Sequence, residues 1–181
     1  MTSPTPPGHP APPAAARPLP VRPLERAGFA RFGQVIDAGA GNGQSINEGT
    51  SSRLDALATV TTHPVGARAV ISLFIARARS LPMTVRTLER HPFGSQAFMP
   101  LGGTAGYLVV VAPDEAGRPG DPEAFFARAD QGVNFTAGTW HHPLIALQDD
   151  SRFLVVDRQD PAANLAIGDL SRPWLLAWQG G

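Results

Sequence analysis

Short apolar runs, repeatedly cut by glycine and proline, constrain this chain more than anything else in it. There are 19 glycines and 19 prolines in 181 residues. The runs between them suit strands rather than long helices. Residues 70–76 read VISLFIA, rich in β-branched and aromatic side chains, and residues 83–90 read MTVRTLER, an alternating pattern. Further runs lie at 97–101, 107–112, 133–135, 140–147 and 153–157, with Gly102-Gly103 between two of them. One helix is expected over 122–129, with Asp121 as its N-cap and Phe125 on its apolar face. Many short strands with one or two short helices predict an all-β barrel or sandwich. Trp174 and Trp178, four apart near the C-terminus, are expected to pack on the body of the fold.

Residues 1–20 are different in kind. Eight of these twenty are proline, and the stretch has little to bury. It predicts a disordered or polyproline-like tail. Residues 21–181 then form one domain, a size that fits the length of the chain.

Composition removes several function classes. Positive and negative side chains balance, with a sequence pI near 7.0, so the basic footprint of nucleic-acid binding is missing. A neutral chain also has no means of clinging to anionic lipid. No run approaches the roughly 18 apolar residues of a membrane span. With no cysteine in the sequence, disulfides and thiolate zinc sites are excluded. The absence of thiols and of an apolar leader predicts a cytoplasmic protein.

Chemistry is concentrated in two places. In a strand, alternate side chains share a face. One face of the 83–91 run carries Met83, Val85, Thr87, Glu89 and His91; the other carries Thr84, Arg86, Leu88 and Arg90. The first face begins apolar and ends with an acid and an imidazole. If its apolar half faces a barrel interior, Glu89 and His91 meet at the mouth, where burial demands a partner. The competing reading is a solvated strand end, with His91 capping the turn at Pro92. The second place is Trp140-His141-His142-Pro143. Adjacent strand residues point to opposite faces, so only one of His141 and His142 enters a site easily. His63 and His9 have no sequence partner and are expected to be incidental.

The spacing around these residues resembles the metal-binding cupins, which are small β-barrels. Their first motif is His-x-His, four residues, Glu, six residues, Gly. Here Glu89-Arg90-His91 leads at the same intervals to Gln96 and Gly103, while Met83 stands where the motif opens with glycine. The second motif, Pro-x-Gly-x-x-His, falls on Thr136 to His141, keeping Gly138 and His141 and losing the proline. The spacing favours His141 as the inward histidine. The positions Glu89, His91, Gln96 and His141 match a metal set in place, with two ligand types changed.

A closer resemblance is to the ureidoglycolate lyase family. It rests on Ile46-Asn47-Glu48-Gly49-Thr50, on the 88–101 string LERHPFGSQAFMPL, on Gln131-Gly132-Val133-Asn134, on Trp140-His141-His142-Pro143-Leu144 and on the 153–158 string FLVVDR. The chain departs from the family near its end. Ala163 precedes Asn164 and Ala166-Ile167 follow it, where the family usually places acids. This resemblance implies a cupin-like jelly roll and a carbon–nitrogen lyase that splits ureidoglycolate into glyoxylate and urea in allantoin breakdown. Such a reaction needs a base near the hydroxyl, an acid near the nitrogen and a clamp for the carboxylate. Glu89, His91 and His141 are the implied catalytic residues. Arg53, Arg90 or Arg158 would hold the carboxylate, with Arg53 favoured by its loop; Ser51, Ser52, Gln96, Asn134 and His142 would bind the rest of the substrate. The family's association with a nickel-type divalent ion implies either that cofactor or, given the changed ligands, none. A homodimer is expected. The alternatives are a metal-dependent cupin of another class and a non-catalytic cupin that binds a small ligand.

Overall fold

The structure, a computed structural model, describes residues 15–41, 43–102, 104–159 and 164–180. His9, Gly103 and Ala163 lie outside the described residues.

Two sheets carry the fold. The larger runs Arg17–Leu19, Ala166–Leu176, Met83–Arg90, Trp140–His141, Tyr107–Ala112, Glu123–Ala127 and Val21–Pro23 in spatial order, with Ile145–Ala146 also paired to the Tyr107 strand. The smaller runs Gly33–Ile36, Gly132–Phe135, Gln96–Pro100, Ser151–Arg158 and Ala69–Ala76. Their facing sides form one core. Tyr107, Val109, Val111 and Phe125 of the larger sheet meet Phe98, Val133, Phe135, Phe153 and Val155 of the smaller. The other side of the larger sheet buries a second cluster, Leu88, Leu108, Val110, Trp140, Trp174 and Leu176 among it. The Tyr107 strand is therefore apolar at every position, because it is covered on both faces. This is the expected all-β, cupin-like jelly roll.

Several expectations change. Residues 123–127 are a strand, not a helix. Ala124 joins one core cluster and Phe125 and Ala127 the other, and a single helical face cannot serve two opposed cores. The segment pairs instead with Tyr107–Ala112 and with Val21–Pro23. The short helix lies at Arg26–Phe29, where it inserts Phe29 into the core. Within the expected 1–20 tail, Arg17–Leu19 pairs in parallel with Trp174–Leu176; residues 1–14 lie outside the described residues. Alternation along the Met83 strand also breaks. Val85 sits with Leu88 in the second cluster rather than on the Glu89 face. The neighbouring strand slips register between Asp169 and Trp174, opposite this point. Trp174 packs in the core as expected, and Trp178 stacks on Phe126 with ring centroids 4.7 Å apart.

Candidate active site

The site is assembled by cross-strand register. Trp140–His141 is a two-residue strand wedged between Met83–Arg90 and Tyr107–Ala112, and it pairs His141 with both Glu89 and Val111. Directly opposed residues share a face. Val111 belongs to the inter-sheet core, so His141 and Glu89 point inward with it. Period two then brings His91 to the same side. One nitrogen or carboxylate oxygen from each of Glu89, His91 and His141 lies within 4.8 Å of the others. His141 Nε2 is 3.7 Å from Glu89 Oε1, and the two imidazole rings are 5.3 Å apart.

Backbone carbonyls fix both tautomers. His141 Nδ1 lies 2.9 Å from the Thr139 carbonyl and His91 Nδ1 lies 2.7 Å from the Asn164 carbonyl. A carbonyl only accepts, so each Nδ1 carries a proton, and in the neutral ring each Nε2 is then a bare lone pair. Both Nε2 atoms are buried without a hydrogen-bond partner. His141 also stacks on Phe135, centroids 4.4 Å apart and rings 9° from parallel. Burial pushes its pKa down to about 3, against the Thr139 carbonyl; the nearby His91 charge adds to the depression. Burial pushes the Glu89 carboxyl the other way, above its ordinary value, while the His91 charge opposes. The cluster thus holds a carboxylate with raised proton affinity beside an imidazole that stays neutral.

Beside the cluster is a cleft of about 230 Å³ lined by His91, Ser95, Gln96, Asp157, Arg158 and Asn164. Next to it, Gly94 backs onto Arg158 without side-chain bulk: an added Cβ there would stand 2.8 Å from the Arg158 Cβ. Arg158 is further steadied by donating from Nε to the His63 carbonyl at 2.7 Å. Ser95 Oγ accepts from the Thr61 amide.

Not every candidate residue comes here. Gln96 and Arg158 do. Asn134 lies on the opposite side of its sheet, since Val133 and Phe135 flank it and face the core; its amide donates to Gln34 Oε1 and the Thr59 carbonyl. Arg90 also faces away, paired with Asp114 at 2.7 Å over the Trp140 ring. Ser51, Ser52 and Arg53 sit on an exposed hairpin, where Arg53 pairs with Asp55 at 2.6 Å. Among the described residues, no hydrogen bond or ion pair ties them to the cluster. His142 does not simply point away from His141. The strand ends at His141, alternation stops, and His142 lines a small apolar cavity with Phe98, Tyr107 and Phe135. Burial lowers its pKa as well. The His63 backbone, rather than its imidazole, braces Arg158 and Phe93. Asn164, Ser95 and Asp157 were not singled out from sequence; Ser95 and Asp157 lie within the family strings, and Asn164 gave no periodic signal.

A sequence profile of this family, described as ureidoglycolate lyase, matches residues 16–177. The chain belongs to the ureidoglycolate lyase family. Relatives named ureidoglycolate lyase agree with that. One from Rhizobium etli (strain CIAT 652) is 52% identical over 147 residues, covering 81% of this chain and 88% of the relative. One from Azotobacter vinelandii is 47% identical over 146 residues, covering 81% and 88%. One from Agrobacterium fabrum is 42% identical over 159 residues, covering 88% and 95%. The divalent ion associated with this family fits the cluster on chemical grounds. Two buried imidazole lone pairs with no partner, beside one carboxylate, make a donor set that divalent transition metals accept. The tautomers are already those that ligation needs.

Proposed function

We propose that this family member acts as a ureidoglycolate lyase, releasing glyoxylate and urea. The observation that carries the reading is the convergence of Glu89, His91 and His141 beside a polar cleft. In the reaction, the substrate hydroxyl loses its proton and its oxygen forms a carbonyl. The carbon–nitrogen bond breaks, its electron pair stays on nitrogen, and that nitrogen takes up a proton as urea leaves. One group that accepts and returns the proton closes the balance, with no water consumed. Glu89 suits that role, because burial raises its proton affinity above that of an ordinary carboxylate. His141 stays neutral and contributes a lone pair and orientation rather than proton transfer. Arg158 is the carboxylate partner, and Ser95 and Gln96 are within the cleft to meet the ureido group. A divalent ion would be held by His91, His141 and Glu89, with Gln96 nearby, and Glu89 would then serve as a ligand rather than as the proton carrier. When bound, it supplies positive charge that lowers the pKa of a hydroxyl.

The deciding assay supplies ureidoglycolate and follows glyoxylate. Release above the spontaneous rate is expected. No release from folded protein, with and without added divalent ion, would sink the reading in favour of a binding-only protein. Loss of activity on chelation, restored by the ion, would make the enzyme metal-dependent.

A homodimer belongs to the same proposal. Ala69–Ala76 is the edge of the smaller sheet, and Ile71, Leu73 and Ile75 are about 70% exposed along one side of it. Exposed apolar edges of this kind ask for cover. Leu73→Asp should shift a dimer to monomer in sedimentation; an unchanged mass would move the interface elsewhere. A cytoplasmic location is consistent with the cysteine-free sequence. No helix among the described residues is long and apolar enough to cross a membrane.

A further inference from the structure

Asn164 makes two contacts that converge on His91 from outside the catalytic strands. Its carbonyl accepts from His91 Nδ1 at 2.7 Å, and its side-chain Oδ1 accepts from the Phe93 amide at 2.9 Å. The adjoining strand explains how it gets there. Ala166 pairs with Arg90 and Ile167 with Glu89. Two residues beyond that ladder, Asn164 crosses over the turn that follows His91 and becomes a wall of the cleft. The ladder alone does not hold it: pairing ends at Ala166, so the carbonyl needs another anchor. The side chain provides one, tying residue 164 to the same turn whose histidine it must meet.

We propose that Asn164 is a positioning residue: its side chain pins its own carbonyl against His91 Nδ1 and so selects the tautomer that leaves His91 Nε2 as a bare lone pair. This deepens the lyase reading and rests on it for its catalytic meaning, while the tautomer itself is independent of substrate. Phe93 N is an amide donor, so position 164 needs an acceptor at the reach of Oδ1. Aspartate retains that acceptor and alanine removes it.

The test compares Asn164→Ala and Asn164→Asp with the unmodified protein. Imidazole nitrogen-15 spectra of metal-free protein report which ring nitrogen of His91 carries the proton, and nickel-ion titration by calorimetry reports the lone pair. The unmodified protein and Asn164→Asp should show His91 as the Nδ1–H tautomer. Asn164→Ala should show a mixture, with nickel affinity and glyoxylate-releasing kcat each falling roughly ten- to hundredfold, the range for partners of ligating histidines. His141, held by Thr139, should keep its tautomer in all three and serves as the internal control. An Ala variant with the unmodified His91 spectrum would overturn the proposal, as would an Asp variant as impaired as Ala. If no form releases glyoxylate while the spectra behave as expected, the positioning role stands and the lyase reading fails.

Discussion

His141 carries the sharpest pH prediction. It is buried, stacked on Phe135, and its pKa is pushed down to about 3. Unfolding restores a value near 6.5. Between these limits the unfolded chain holds a proton that the native chain does not. Its contribution to stability is therefore complete above about pH 6.5 and is lost as the pH falls toward 3. Each unit of pKa difference corresponds to about 1.4 kcal/mol, so from pH 7 to pH 5 the loss approaches about 2 kcal/mol. Glu89 acts with the opposite sign. Its raised carboxyl stabilises most below the unfolded pKa and loses that contribution as the pH rises through the native one. A comparison with His141→Gln removes the imidazole and leaves Glu89 in both proteins. Urea unfolding at the two pH values, with a chelator present so that no ion competes for the ring, measures the difference. The unmodified protein should lose about 2 kcal/mol more than the variant on acidification. Equal losses would refute the buried, neutral state of His141.

Other perturbations separate the parts of the site. His91→Ala should abolish glyoxylate release with the thermal transition preserved; near-normal turnover would make the imidazole purely structural. Gly94→Ala forces a methyl against Arg158 and the Thr61 carbonyl, so KM should rise and stability fall by about 1–3 kcal/mol, as read by kinetics and urea unfolding; a silent substitution would mean that the backbone behind Arg158 yields freely. Arg53→Ala should leave both stability and turnover little changed, since Arg53 sits on the exposed hairpin and pairs with Asp55 rather than with the cluster. A large loss in kcat/KM would return the hairpin to the catalytic machinery.

The sequence reached the fold class because alternation and chain breakers act locally. Residues 70–76, 83–90 and 107–112 are strands for reasons contained in their own composition. The 122–129 segment misled because its pattern, taken alone, also fits one face of a helix. Only the packing showed that it lies between two cores. The Ala166–Leu176 strand was missed for a similar reason: glycine, proline and arginine interrupt its apolar pattern, and the partner strand supplies the order.

Within the site, the sequence by itself determined that Glu89 and His91 share a side, since that follows from a two-residue period. It also determined that no thiol takes part. Tertiary structure decided the rest. It seated His141, which motif spacing already favoured, through its register with Glu89 and Val111, and it set Asn134 on the side of its sheet away from the cluster. It brought Asn164 across to a histidine 73 positions away. The division has one physical cause. A strand's period assigns residues to faces within a segment, whereas which segments lie side by side is set by burying two sides of one sheet at once.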